Sequence, residues 1–307
     1  DGLEEFGDLL LVIPSAPTVE PLSPGAAGWP LGHRYASGRV ILRSAWDDPA
    51  AAHVVLTSGY DMHQGHNQQD ENSVSFAALG EDFLTDPGYW PDASDCHTTL
   101  KINGVEQAIG SHGKILDYRE DQNGAFVRAQ AQDAYYTDSA RVFARAQVQG
   151  VPPKPRGFPG LVERKLYFVR GPHPYLVWRD DAAVELGDDA EVVARYITPK
   201  DSGFSADGDA AIIRGANGRA SCRLAVYAED QPLPVREDDL AGQSYIANGE
   251  TKVVYTDYFK RLSVTVNKGH ARLLTIVFPF RDESALPETA VHYDPATDTL
   301  TCQLSFP

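Results

Sequence analysis

Cysteine is scarce in this 307-residue sequence: Cys96, Cys222 and Cys302 are the only three, too few for a disulfide framework to hold a fold of this size. A single Cys222–Cys302 bridge would suit an exported, secreted or periplasmic protein, and spacing alone does not establish it. No apolar run reaches the roughly 18 residues that a helix needs to cross a bilayer, so no membrane span is expected. The start, Asp1-Gly2-Leu3-Glu4-Glu5, has neither a methionine nor a basic stretch; it reads as a processed, cleaved or engineered terminus rather than a signal peptide. Positive charge is also in deficit. The 27 Lys and Arg against 43 Asp and Glu give a formal net charge of −16, which argues against generalised binding to nucleic acid or to an anionic membrane. The deficit reverses locally from Arg141 to Arg170, where seven basic residues face one acid, Glu163. Two readings stay open there: a local contact for a polyanion, or ordinary scattered surface charge.

Glycine and proline are plentiful instead, at 26 and 21 residues, and they punctuate short runs rich in Val, Ile, Leu, Tyr and Thr. That texture predicts many turns between short strands, an all-β chain whose 42% hydrophobic content suffices for one large core. Residues 1–27 read as a lead-in segment with one apolar run and a Pro-rich tract, and residues 28–307 as the β domain. Arg39–Arg43 and His53–Thr57, separated by Asp47-Asp48-Pro49, are hairpin-like. Ser73–Leu79 leads through a turn at Gly80-Glu81-Asp82 into Phe83–Asp86. From Cys96 to Ile102, His97, Thr99 and Lys101 alternate with Thr98, Leu100 and Ile102, which predicts a strand with one wet face. Asn103-Gly104 is a strong two-residue hairpin signal, because a type I′ turn requires positive φ at both positions. Further strands are expected within Phe126–Gln132, Leu166–Arg170, Tyr175–Arg179, Val192–Ile197, Arg223–Val226, Val253–Thr256, Leu262–Val266, Leu273–Phe278 and Leu300–Phe306. Asp138–Gln149 also fits a short helix, and Gly150–Gly160 reads as a loop.

The densest group of potential ligands runs from His63 through His66 to Glu71, with Asp86 and His97 following. Four possible ligands, His63, His66, Asp86 and His97, fall within 35 residues. Two imidazoles and a carboxylate can bind Zn²⁺ and leave a position for water, and neighbouring strands can bring them together. The same residues would also serve as hydrogen-bonding loop residues.

The stretch His66-Asn67-Gln68-Gln69-Asp70-Glu71-Asn72-Ser73-Val74-Ser75-Phe76, continuing through Gly80 to Asp86-Pro87-Gly88-Tyr89, resembles the signature of the heparinase II/III-like domain of polysaccharide lyases. Gly38–Ser44, the His97–Gly104 segment with Gln107, and the pair Arg164–Arg170 and Tyr175–Asp180 are similar to further pieces of that family, in the same order. The resemblance covers roughly Gly28 to Asp181. It implies a large antiparallel β-sandwich, the supersandwich of that family. It also implies a structural zinc held by His66, Asp86 and His97, and β-elimination on an acidic polysaccharide or oligosaccharide. In such chemistry a base removes the C5 proton of a uronic acid, the carboxylate is neutralised, and the O4 leaving group is protonated. His63 is the candidate neutraliser or base, Tyr89 a candidate acid/base, and Gln69 and Asn72 candidate substrate-orienting groups. Tyr89 also reads as a packing residue, and Gln69 and Asn72 as residues that cap the loop.

Two departures stand out. The family loop places its two histidines and its aspartate closer together than the spacings of three and four seen here. Family lyases also carry an α/α-toroid before the β-domain, and residues 1–27 do not encode one. The sequence therefore fits a lyase β-domain completed by a toroid domain or partner chain. It fits equally a carbohydrate-binding or assembly subunit that retains the metal-bound sandwich without the reaction.

Overall fold

The structure, a computed structural model, describes residues 20–59, 68–108, 113–135, 159–184, 190–247 and 249–307. Among the described residues there are 22 strands and four single-turn 3₁₀ helices. The strands β1 (Gly32–Arg34), β2 (Arg39–Arg43), β3 (His53–Thr57), β4 (Ser73–Ala78) and β5 (Glu81–Leu84) form a five-stranded antiparallel meander. After β6 (Leu100–Ile102), a second meander follows: β7 (Lys114–Asp121), β8 (Gly124–Gln130), β9 (Pro159–Val169) and β10 (Tyr175–Val184). The chain continues through β11 (Glu191–Pro199), β12 (Gly203–Asp207), β13 (Ala210–Arg214), β14 (Ser221–Ala228), β15 (Gln231–Leu233) and β16 (Arg236–Glu237). It closes with β17 (Ser244–Ala247), β18 (Thr251–Val254), β19 (Phe259–Asn267), β20 (His270–Phe280), β21 (Glu288–Asp294) and β22 (Thr299–Ser305).

A nine-stranded sheet runs β12-β13-β14-β20-β10-β9-β8-β7, with β15 beside β14, and a four-stranded sheet runs β16-β19-β11-β6. The four-stranded sheet meets the five-stranded one where the Thr85 N–H donates to the Ile197 carbonyl at 2.9 Å. Together they cover the nine-stranded sheet, and one apolar core joins the inward residues of all three, including Val40, Leu42, Val54, Phe76, Leu166, Trp178, Tyr196 and Val264. This is the all-β antiparallel sandwich that the composition predicts, and the period of two explains it. On β2, Val40 and Leu42 are buried while Arg39, Ile41 and Arg43 face outward; on β3, Val54 and Leu56 are buried in the same way.

Several expectations change in detail. The hairpin turn between β4 and β5 is Leu79-Gly80, with φ of 57° and 82°, and Glu81 already belongs to β5. The Asn103-Gly104 turn is as expected, with φ of 51° and 75°. The strand expected from Cys96 is only β6; Ser94–Cys96 is a 3₁₀ turn, and His97, Thr98 and Thr99 are all buried, so no wet face exists there. Cys222 and Cys302 are free thiols, not a bridge. In its described part the basic stretch is neutralised by ion pairs: Arg164 and Arg170 are buried against Asp180 and Glu120, and the partly exposed Lys165 pairs with Glu163 and Asp181. The possible helix at Asp138–Gln149 lies outside the described residues, as do residues 1–19 of the lead-in segment and residues 150–158 of the expected loop; 159 and 160 already belong to β9.

Candidate metal-centred site

The site lies where three segments converge: the run Gln68–Asn72 before β4, the loop that follows β5, and the segment that follows Ser94–Cys96. Side-chain amides stitch these segments together. Gln68 Nε2 donates to the carbonyls of Gly88 at 3.0 Å and Tyr89 at 3.3 Å. The Gln69 N–H donates to the Asp92 carbonyl, and Gln69 Oε1 accepts from the Ser94 N–H at 3.2 Å. Asp86 Oδ1 accepts from the Gly88 N–H at 2.9 Å, an Asx turn for which Gly88, at φ 104°, supplies the reversal.

Behind the loops stands Arg164, donated by β9 into the core. It grips Asp180 through two bonds of 2.7 and 2.8 Å, and its Nη1 reaches the carbonyls of Asn72 at 2.5 Å and Thr98 at 3.0 Å. Trp178 Nε1 donates to the same Asp180 carboxylate at 3.0 Å, and the guanidinium lies 5.1 Å from the Trp178 ring centre. One buried cation thus pins both arms of the site to the nine-stranded sheet.

His97 sits at the C-terminal cap of the 3₁₀ turn and is completely buried. Among the described residues neither of its ring nitrogens has a hydrogen-bond partner. A buried imidazole that meets no partner at either nitrogen bears a desolvation cost of about 1–3 kcal/mol per group unless something else binds it. The nearest charge is Asp86 Oδ2, 4.0 Å from His97 Nδ1, on a carboxylate that is half exposed. Two donors that each stand about 2.0–2.2 Å from one zinc ion can be at most about 4.4 Å apart, so this pair lies within reach of a shared ion. Among the described residues no three His, Cys, Asp or Glu side chains form a metal cluster by themselves. The other histidines of the expected site, His63 and His66, lie outside the described residues.

Asp86 opens onto a cleft of about 360 Å³ that Ser37, Arg39, Thr57, Asp70, Glu71 and Ser75 also line. Burial holds the Asp70 carboxyl above its usual range; the charge of Asp86 adds to this, while His97 and Arg39 oppose it. Burial, reinforced by Asp70, pushes Glu71 up to about 8 against the pull of its Gly59 and Gly113 amide bonds. The Gly59 N–H donates to Glu71 Oε2 at 2.7 Å, and Gln107 clasps the Glu71 backbone through both its N–H (2.9 Å) and its carbonyl (2.8 Å). The Asp86 carboxylate beside the buried His97 imidazole is the corner of this pocket where a cation is favoured.

Tyr89 stands 53% exposed beside the Asp86–Gly88 turn, with its ring edge-on to Trp90 at 5.0 Å. The loop carrying both is held from β17, where the Tyr245 hydroxyl donates to the Trp90 carbonyl and the Asp92 N–H donates to that hydroxyl at 2.6 Å. Gln69 and Asn72 are not among the residues lining the cleft. Asn72 is buried at φ 62°, with Oδ1 making no hydrogen bond. Sequence reasoning missed Arg39 and Arg164. Arg164 carried a legible signal, since it stands in phase with the inward Leu166 and Phe168.

No family model and no curated protein sequence matches the chain. Solved structures do. A heparinase III gene product with methylated lysines superposes with a TM-score of 0.63 at 12% identity, over 91% of this chain and 42% of that one. Heparan sulfate lyase HepC from Pedobacter heparinus gives 0.63 at 16% identity, over 90% and 42%, and a further heparinase III gives 0.60 at 14%, over 89% and 42%. The chain has the heparinase β-sandwich fold and spans about 42% of the length of those proteins.

Proposed function

We propose that this chain is the β-domain of a polysaccharide lyase that cleaves a uronic-acid-containing glycan by β-elimination, with a structural zinc held by His66, Asp86 and His97. The observation that carries the reading is His97, buried with both ring nitrogens unpartnered among the described residues and Asp86 within 4.0 Å, on a fold shared with heparinases. Zinc bound there would supply cohesion, tying the segment before β4, the loop after β5 and the segment before β6 into one floor.

The reaction needs three acts from side chains: removal of the C5 proton, neutralisation of the sugar carboxylate, and protonation of O4. His63, which precedes β4 in the sequence, is assigned to the base or to the neutralising group. Tyr89, 53% exposed beside the Asp86–Gly88 turn, is assigned to proton transfer. Gln69 and Asn72 act on the substrate indirectly, by holding the loop in shape through the bonds of Gln69 to Ser94 and of the Asn72 carbonyl to Arg164. The opposite wall of the cleft is assigned to an α/α-toroid domain or chain, in keeping with the 42% share of the heparinase length that this chain spans.

β-Elimination leaves a C4–C5 double bond conjugated to the carboxylate. Incubation of the full gene product with alginate, heparan, chondroitin and glucuronan, followed by ultraviolet absorbance, is expected to show a rise with one of them. A flat trace across the panel would contradict the lyase reading and favour the carbohydrate-binding or assembly subunit.

A further inference from the structure

The outer face of the five-stranded sheet is the floor of the cleft, and its register places one cation on a shelf of hydroxyls. Arg39 on β2 is directly opposite Thr57 on β3, which is opposite Ser73 on β4; the next row is Ile41, Val55 and Ser75. Arg39, Thr57, Ser73 and Ser75 all line the cleft, together with Asp70, Glu71 and Asp86, and Arg39 is the one cation among the described lining residues.

Its surroundings leave its donors available. Asp70 and Glu71 are buried while Arg39 is exposed, and Glu71 Oε2 is occupied by the Gly59 amide. Glu71, pushed up to about 8, carries little charge near neutral pH and so neutralises Arg39 only weakly. The chain as a whole repels polyanions at a net charge of −16, so an acidic glycan needs a local anchor inside the cleft. A guanidinium at the edge of a hydroxyl shelf offers a fork of donors that fits an oxyanion, with serine and threonine hydroxyls beside it for the sugar ring.

We propose that Arg39 is the specificity-determining residue of this cleft, binding the anionic substituent of one sugar, a carboxylate or a sulfate, over the Thr57–Ser73–Ser75 shelf. The inference rests on the acidic-glycan reading above and adds the residue that enforces it.

The test is calorimetric binding of the full chain, as wild type, Arg39→Gln and Arg39→Lys, to three oligosaccharides of equal length: an unsulfated uronate oligomer, a sulfated oligomer without uronate, and a neutral oligomer. Arg39 is exposed, so the substitutions are expected to leave thermal unfolding unchanged, and unfolding curves verify this. Loss of one charge-assisted contact predicts binding weaker by roughly 10- to 100-fold for Arg39→Gln in at least one acidic arm. An intermediate loss is expected for Arg39→Lys, with no change in the neutral arm. Loss confined to the uronate arm assigns the carboxylate, and loss confined to the sulfated arm assigns the sulfate. Wild-type affinity of Arg39→Gln in both acidic arms overturns the inference and leaves the lyase reading standing. Equal weakening in the neutral arm also overturns it, by assigning Arg39 a structural role. If wild type binds neither acidic oligomer, the acidic-glycan reading falls, and this inference with it.

Discussion

Replacing Arg164 by methionine removes a buried cation that joins the site to the core, and the cost can be worked from its contacts. The guanidinium satisfies both oxygens of Asp180 and the carbonyls of Asn72 and Thr98. Methionine fills much of the volume, so the loss is electrostatic rather than a cavity. Among the described residues Asp180, 2% exposed, is left buried with only the Trp178 indole N–H. Breaking a buried pair on one side costs about 3–5 kcal/mol. At roughly 2.1 cal/mol/K of unfolding entropy per residue, a chain of this length would lose on the order of 5–8 °C in Tm. Guanidinium and thermal unfolding of Arg164→Met, Asp180→Leu and the double variant measure the effect. The double variant should cost less than the sum of the singles by about 2 kcal/mol or more, since the stranded charge is gone. Full recovery is not expected, because two carbonyls stay unpaired. A single-variant cost below about 1 kcal/mol, or strict additivity, would refute the assignment of Arg164 as the clamp.

Two further outcomes follow from the cleft. Glu71, with its folded pKa raised from 4.5 to about 8, keeps the fold fully stable below the unfolded value and weakens it as pH rises toward 8, by up to about 1.4 kcal/mol per pH unit. Glu71→Gln, whose amide oxygen can still accept from Gly59, is therefore expected to gain stability over wild type between pH 5 and 8; chemical denaturation across that range checks it, and a constant difference would contradict the burial argument. Gly38, at φ 84°, would place a Cβ 2.1 Å from Gly59 Cα, so Gly38→Ala is expected to cost about 2–5 kcal/mol and to displace the amide that holds Glu71; near-wild-type unfolding would refute this close approach.

The sandwich was readable wherever one face of a strand is apolar. In β2, β3, β9 and β10 inward Val, Leu, Phe and Trp recur with a period of two, and Asn103-Gly104 announced its own turn. β7 escaped notice because Lys114–Asp121 keeps only Ile115 fully buried and reads as a polar loop. β12 and β13 were hidden by alanine, glycine and serine, whose patterning is faint. In the site, the ligand candidates were visible as residue types, but their burial was not. The alternation around His97 pointed to a half-wet strand, whereas Ser94–Cys96 turns and Arg164 draws the Thr98 carbonyl inward, so consecutive residues are enclosed from both sides. Such enclosure depends on residues some 66 positions away and leaves no mark in a local pattern. Arg164 was the exception: a charge in phase with Leu166 and Phe168, and paired across the ladder with Asp180, which stands in phase with Leu176 and Trp178.

The metal centre stands or falls with His97. Zinc analysis of purified wild type and His97→Ala, with circular dichroism to verify that both are folded, addresses that directly. About one zinc per chain in wild type and loss of it in folded His97→Ala is the predicted result. Wild type without zinc, or His97→Ala retaining the wild-type content, would contradict a metal centre at His97.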